Sequence, residues 1–197
     1  MIGQFLRHGS NAVLCAAVAA IACAGALGRV TLVLPAVLIG VALFFGTEYT
    51  THRFLLHARP LRSPFILRLQ HRLHYDHHLE PDRLDLLFLP LWFAIPAIAL
   101  FAAVYFAITR SGAVTLSLVL GNLIGLTYYE WVHFVAHIPY RPWTQFGRWM
   151  KKYHLWHHFK SERHWFGVTN PAFDVLNRTY ASVEAVDRSA RTRLLFK

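Results

Sequence analysis

Residues 111–137 read SGAVTLSLVLGNLIGLTYYEWVHFVAH, and most of the predicted architecture follows from them. The first part, Ser111–Tyr129, has no charged residue over 19 positions. A helix rises ~1.5 Å per residue and the hydrocarbon core of a bilayer is ~30 Å thick, so this part is long enough to cross a membrane. The last part places His133 and His137 four residues apart, on one face of the same helix. The stretch therefore predicts a membrane span that ends in a pair of metal-ligand candidates.

Three further stretches also lack charge, and with the first they form two pairs. Arg29 alone separates the first two stretches, and Arg110 alone separates the last two. We predict an all-α membrane protein with four transmembrane helices in two hairpins, and a cytosolic helical cap that holds a dimetal histidine centre. The predicted spans are about residues 11–28, 30–50, 86–109 and 111–133, and the cap comprises residues 52–85 and 134–197.

Composition agrees with a membrane protein of one domain. The chain has 197 residues, of which 55% are hydrophobic, and a mean hydropathy of +0.35, which exceeds the usual values for soluble proteins. We therefore predict a single domain over residues 1–197. Cys15 and Cys23 both lie in an apolar run, where neither a disulfide nor a thiolate metal site is expected. A cleaved signal peptide is an alternative for the first span, but the pairing of the spans favours a retained helix.

The distribution of positive charge predicts the orientation. Of the 20 Lys and Arg residues, 18 lie in the segment before the first span, in residues 48–85 or in residues 130–197, and only Arg29 and Arg110 lie in the two short turns. The positive-inside rule places both termini and both long polar segments in the cytoplasm. We predict a multi-pass protein of a bacterial inner membrane or the endoplasmic reticulum. Topology thus accounts for the net charge of +10, and no nucleic-acid partner is expected.

Ten of the 13 histidines form four ordered groups, two pairs and two triads. Residues at i, i+3 and i+4 share one helix face, so each triad aims three imidazoles at one point. His52 and His57 are five apart, about 140° around an α-helix at ~100° per residue. They converge only if the helix ends or bends there, or they reach different metals. The groups are His52 and His57; His74, His77 and His78; His133 and His137; His154, His157 and His158.

The two halves of the chain repeat this ligand placement. His57 and the first triad each precede their counterparts in the second half by 80 residues, and His52 precedes His133 by 81. Ten imidazoles are too many for one tetrahedral ion, so two ions with about five ligands each are predicted. Haem is disfavoured because no histidine lies within a charge-free stretch. In addition, only one histidine of an adjacent pair could serve as an axial ligand. His8 reads as an ordinary solvated residue, while His71 and His164 stay open.

This histidine series, H-x4-H, H-x2-H-H, H-x3-H, H-x2-H-H, resembles the fatty acid hydroxylase superfamily, and within it the fatty acid 2-hydroxylases. Tyr129-Glu130-x2-His133 and the segment from Phe166 to Asp174 are further similarities. The resemblance implies a non-haem centre of two iron ions that uses dioxygen to hydroxylate a lipid, most simply a fatty acyl chain at carbon 2. Zinc can fill the same sites in an isolated protein. Asn177-Arg178-Thr179 replaces the family's usual Gly-Thr, which leaves the substrate end open.

Roles for carboxylates and partners complete the expectation. Glu130, Asp76 and Asp174 are candidates to orient imidazole N–H groups, with surface positions as the alternative, and Glu48 is a weaker candidate. The sequence contains no His-Pro-Gly-Gly segment of a fused cytochrome. The electron donor is therefore expected to be separate, such as a b-type cytochrome or a ferredoxin with its reductase.

Other functions of the same residues stay open. Related enzymes hydroxylate or desaturate sterols or carotenoids. A membrane zinc hydrolase would use metal-bound water, but the chain lacks His-Glu-x2-His. A metal carrier would need ligands along a transmembrane path, whereas these histidines collect at the ends of the predicted spans.

Overall fold

The computed structural model describes residues 1–59, 63–190 and 192, and this part of the chain is helical without a β-strand. Two π-helical turns, π1 (His52–Leu56) and π2 (His71–Tyr75), and one 3-10 turn (Val183–Ala185) interrupt the α-helices. The α-helices are α1 (Ile2–Leu6), α2 (Gly9–Ala26), α3 (Leu34–Thr51), α4 (Pro64–Gln70), α5 (Asp76–Leu79), α6 (Leu84–Leu87), α7 (Leu91–Thr109), α8 (Gly112–His137), α9 (Gln145–Phe159) and α10 (Ala172–Leu176).

Four helical segments are long and apolar enough to cross a membrane, which confirms the predicted number of spans and the all-α class. The fourth continues beyond the predicted end at residue 133 to His137, because the first helix breaker on its path is Pro139. The second continues through π1. The segments are Gly9–Ala26, Leu34–Leu56, Leu84–Thr109 and Gly112–His137.

The chain divides into two compact units, and the first comprises Met1–Phe45 and Phe88–Glu130. Its core contains two clusters of buried apolar side chains. Leu14 of α2 packs with Leu123 and Leu126 of α8 in one cluster, and Tyr105 of α7 packs with Ala36 and Leu118 in the other. Apolar packing between helices therefore holds the first unit together.

In the first unit, α3 and α8 approach each other closely at two glycines. A Cβ atom on Gly121 would lie 2.8 Å from the Cα of Gly40, closer than real Cβ atoms come to backbone. The Asn122 side chain donates a hydrogen bond to the Gly40 carbonyl at 2.8 Å and accepts one from the Tyr105 hydroxyl at 3.0 Å. Gly121 begins the small-residue motif Gly121-x3-Gly125, and such motifs allow helices in membranes to pack closely.

The second unit comprises Gly46–Leu87 and the chain from Trp131 onward. It contains both π-turns, α4–α6, α9 and α10, and its interior is aromatic as well as histidine-rich. Phe134, Met150, Tyr153 and Trp165 are among its most buried large side chains. The single domain over residues 1–197 stays a prediction, and residues 60–62, 191 and 193–197 of the predicted cap lie outside the described residues.

Replacing Gly121 by Ala tests the close approach of α3 and α8. We expect a lower thermal midpoint for the full chain in detergent, because overpacking against backbone costs roughly 1–3 kcal/mol. That cost exceeds the gain of about 1 kcal/mol from the helix propensity of Ala. Gly112→Ala is the matched control on the same helix, since no atom lies within 4 Å of its added Cβ. Equal midpoints for the two variants would contradict the prediction.

Candidate metal centre

The ten histidines predicted as ligands separate into two groups of five in the described part of the chain. In each group, one ring nitrogen from every histidine can be chosen so that the five atoms lie within 4.8 Å of one another. Clusters of this kind could hold metal ions. Site A is the group of His52, His57, His74, His78 and His157, and site B is the group of His77, His133, His137, His154 and His158.

The π1 turn explains how His52 and His57 reach the same site. The backbone N–H of His57 donates to the His52 carbonyl at 3.0 Å, so one hydrogen-bonded turn spans five residues instead of four. Residues five apart then lie on one side, and the two ring centroids are 4.9 Å apart. His52 and His57 are one residue further apart in the sequence than His133 and His137, and the π1 turn accommodates this extra residue. A second π-turn, with a hydrogen bond from Asp76 N to the His71 carbonyl, precedes His77 and His78.

Each histidine doublet divides between the two sites, so the prediction that each triad aims three imidazoles at one point is wrong. His78 joins site A while its neighbour His77 joins site B, and His157 joins site A while His158 joins site B. Consecutive helical residues point ~100° apart, so a doublet cannot serve one centre but can serve two. His78 and His158 stack with centroids 4.1 Å apart and ring planes 17° apart. Each site therefore takes four ligands from one half of the chain and one from the other.

The nitrogen positions fit metal ions. In site A the Nε2 atom of His74 lies 3.2 Å from that of His52 and 2.7 Å from that of His57. In site B the Nε2 atoms of His77 and His133 are 3.0 Å apart. Two nitrogens bound to one ion at ~2.1 Å and at right angles would be ~3.0 Å apart. A neutral imidazole has a single N–H, so one Nε2 that faces two others cannot satisfy both by hydrogen bonding.

The protonation state of the imidazoles also suits a metal. Burial is the first cause that lowers their pKa values below the ordinary 6.5, and mostly neighbouring imidazoles add to it. These rings are therefore neutral at pH 7, with a lone pair available. These are the rings of the candidate histidines beyond the four candidate spans, namely His57, His74, His77, His78, His154, His157 and His158.

Backbone carbonyls orient three rings of site A. The Nδ1 atom of His157 donates to the His164 carbonyl at 2.8 Å, and that of His78 donates to the Thr192 carbonyl at 2.9 Å. His52 Nδ1 likewise donates to the Phe166 carbonyl. A proton held on Nδ1 leaves Nε2 as the free lone pair, which selects the tautomer that a metal requires.

Two buried carboxylates clamp the loop that supplies the Phe166 carbonyl. Asp174 accepts hydrogen bonds from the backbone N–H of Phe166 at 2.9 Å and of Gly167 at 2.7 Å. Glu48, on α3, accepts from the backbone N–H of Val168 at 2.6 Å and from Thr169. Asp174 also accepts from the hydroxyls of Tyr153 and Thr179. Asp174 thus acts on His52 through a backbone carbonyl and not by contact with an imidazole.

The other two predicted acids lie in different surroundings. Asp76 contacts His71 at 2.9 Å, and both side chains are exposed. His71 belongs to neither site, and the His164 ring contacts the Ser161 hydroxyl at 3.0 Å. Glu130 is fully buried, and its Oε1 accepts a hydrogen bond from the Leu89 N–H at 2.9 Å.

Sequence reasoning missed the groups that support the π1 turn. The Gln70 amide donates to the Leu55 carbonyl at 2.8 Å and to the Ala58 carbonyl at 3.3 Å, and the Tyr75 hydroxyl donates to the same Ala58 carbonyl at 2.7 Å. These bonds satisfy carbonyls released where the helix ends beside His57. A polar residue one turn before a triad was the only signal in the sequence.

Comparison with known proteins identifies the family. The family model described as fatty acid hydroxylase matches residues 37–179, which include all ten histidines. The chain is 31% identical over 156 residues to dihydroceramide fatty acyl 2-hydroxylase FAH1 of Arabidopsis thaliana, covering 78% of this chain and 63% of that protein. It is 29% identical over 153 residues to fatty acid 2-hydroxylase of Rattus norvegicus, covering 75% of this chain and 40% of that protein. The chain thus spans less than two thirds of these relatives.

A solved structure has the same fold. It is described as full-length scs7p with only the hydroxylase domain visible, and it matches with a TM-score of 0.70 at 30% sequence identity. The match covers 78% of this chain and 58% of that chain. Because the family model spans most of the sequence and contains both histidine sites, the chain belongs to the fatty acid hydroxylase family.

Proposed function

We propose that this chain is a membrane-bound hydroxylase that uses dioxygen and two iron ions to hydroxylate a lipid, most simply a fatty acyl chain at carbon 2. The observation that carries the proposal is the pair of five-imidazole sites with mutually facing nitrogens. The names of the relatives support the carbon position and the acyl substrate. Sterol or carotenoid oxidation is the alternative within the superfamily. A zinc hydrolase is disfavoured, because hydrolytic zinc sites use about three protein ligands.

The ten histidines are the proposed metal ligands, five for each ion. Iron bound there would supply dioxygen activation, which no side chain can provide. The protein contributes neutral donors, tautomers held by the carbonyls of Phe166, His164 and Thr192, and a buried site that excludes water. Asp174 and Glu48 are proposed to keep the Phe166 carbonyl in position. Glu130 and Asp76 stay candidates for orienting ligand groups.

Replacing His77 or His157, the histidine that each half of the chain contributes to the site of the other half, tests the metal assignment. We expect about two transition-metal ions per chain, from two sets of five ligands. His77→Ala should lower the content of site B and His157→Ala that of site A, with loss of activity in both. His71→Ala is the matched control, because His71 lies near His77 in the chain but outside both sites. Elemental analysis of purified protein measures the content. If a variant with both His77→Ala and His157→Ala kept the metal content of the native chain, neither residue would be a metal ligand.

Asp174→Asn tests the loop clamp. The amide keeps the size of the side chain but replaces one of the two accepting oxygens by an NH₂ donor. It therefore cannot accept from both the Phe166 and the Gly167 N–H groups, and the Phe166 carbonyl should shift. Loss of such supporting groups weakens metal binding about 10- to 100-fold. We expect weaker binding at site A than at site B in a chelator titration. Asp82→Asn is the control, since Asp82 is exposed and belongs to neither histidine site. If the two variants bound metal with equal affinity, the proposal that Asp174 keeps the Phe166 carbonyl in position would be wrong.

We further propose that both termini and the polar segments face the cytoplasm of a bacterial inner membrane or the endoplasmic reticulum. The spans would form two hairpins, and residues 52–85 and 134–197 the cytosolic cap. The support is the asymmetric distribution of Lys and Arg residues about four apolar helices. Electrons would come from a separate donor, such as a b-type cytochrome or a ferredoxin with its reductase.

Single cysteines test this orientation in a background where Cys15 and Cys23 are replaced by Ala. Cysteines at positions 29 and 110 should react with an impermeant maleimide from the side opposite the cytoplasm, and one at position 163 should not. Permeabilised membranes provide the control for reactivity at every position. Labelling of all three from one side would exclude the four-span orientation.

Isotope labelling tests the reaction. Membranes that contain the protein, a fatty acyl substrate and a reductant would receive ¹⁸O₂ or, separately, H₂¹⁸O. We expect label from dioxygen in a hydroxyl group at carbon 2 of the product, and none in membranes that carry the His77→Ala variant. Label from water would end the hydroxylase proposal, and label from dioxygen in a sterol product would reject only the substrate.

A further inference from the structure

The segment that joins α8 to α9 and the first turns of α9 expose aromatic side chains at the surface. The chain leaves α8 at His137 and enters α9 at Gln145, where the Thr144 hydroxyl caps the helix by accepting from Gly147 N–H at 3.0 Å. Trp143 is 88% exposed and Phe146 is 55% exposed. The Phe146 ring lies 6.2 Å from the partly exposed Trp149 ring, one turn further along the helix. Three exposed or partly exposed aromatic side chains within residues 143–149 indicate a surface that meets a partner.

A basic cavity of about 600 Å³ adjoins these aromatic residues. Arg141, Arg148, Lys151 and Lys152 line it together with Tyr140, and its described lining contains no carboxylate. Within the described chain, Arg141 and Lys152 form no ion pair. The cavity therefore concentrates positive charge without an internal counter-ion. An anionic ligand fits this charge.

Internal hydrogen bonds fix the cavity to the end of α8. The Lys151 ammonium donates to the carbonyls of Val135 and Ile138 at 3.0 and 2.6 Å and to that of Tyr140 at 3.0 Å. All three of its protons are thereby used, so Lys151 is structural. The Arg148 guanidinium donates to the carbonyls of Pro142 and Trp143 through one nitrogen. Its remaining donors, with Arg141 and Lys152, are available to a ligand.

We propose that residues 140–152 form a binding site for the headgroup of an anionic phospholipid. The phosphate would be held by Arg141, Arg148 and Lys152, and Trp143 and Phe146 would enter the interfacial layer of the bilayer. Aromatic residues and cations together mark membrane interfaces, and Trp143 follows the end of a candidate span by only six residues. The inference goes beyond the proposed reaction, because it requires only that α8 crosses a membrane.

The first experiment measures lipid affinity of the purified full chain by native mass spectrometry. Phosphatidylglycerol should bind more tightly than phosphatidylcholine, and each removed cation should weaken it about fivefold. The test variant is Arg141→Gln with Lys152→Gln. Arg188→Gln is the control, since Arg188 is exposed and outside the cavity. Glycerol phosphate should compete weakly, because it lacks the acyl chains. Equal affinity for the two lipids, or equal affinity in variant and control, would overturn the proposal.

The second experiment locates Trp143 in nanodiscs that contain phosphatidylglycerol brominated on its acyl chains. The difference in fluorescence between the native chain and Trp143→Phe gives the contribution of this residue, and we expect it to be quenched. An unquenched contribution, with an acidic carrier protein protecting Trp143 from aqueous iodide, would reject the lipid and assign the surface to a protein partner. Both readouts are independent of metal content and of hydroxylation, so failure of the proposed reaction leaves this test intact.

Discussion

Ten imidazoles lie together in the second unit, and that unit is arranged around the need to satisfy their nitrogens. A buried lone pair without a partner costs free energy, and hydrogen bonds between facing imidazoles can satisfy only part of the set. Convergence on two points is the arrangement in which two bound cations would satisfy the rest. The π1 turn meets that demand for His52 and His57, which it brings onto one side although they are five residues apart. Backbone carbonyls meet the same need on the outward side, where they accept the Nδ1 protons of His52, His78 and His157.

This arrangement explains why the histidine positions of the first half recur 80 residues later in the second half. Adding 80 to His57, His74 and His78 of site A gives three members of site B, and the same shift takes His77 of site B to His157 of site A. The halves therefore exchange one ligand each in a reciprocal way. The single departure is the extra residue between His52 and His57, which the π1 turn accommodates. The repeat is a repeat of ligand geometry, maintained although the surrounding residues differ.

The fold class and the ligand candidates could be predicted because their signals are local. Charge-free runs of helical length, and triads at i, i+3 and i+4, follow from helix geometry alone. The division of each doublet between the sites could not be predicted, because it depends on how α5 and α9 face each other in the folded unit. Asp174 and Glu48 illustrate the same limit. A carboxylate near a histidine motif suggests contact with a ring, whereas both carboxylates bind backbone N–H groups that precede or follow the Phe166 carbonyl.

The exchanged histidines also impose an order on biosynthesis. When translation has reached residue 78, four ligands of site A exist but only His77 of site B does. Site A gains its fifth ligand with His157, a hundred residues after His57, and site B gains its last with His158. The two sites therefore gain their fifth histidine within one residue of each other. Neither site can be complete before the last histidine doublet has been synthesised, so both would become competent for full metal loading at the same stage of synthesis.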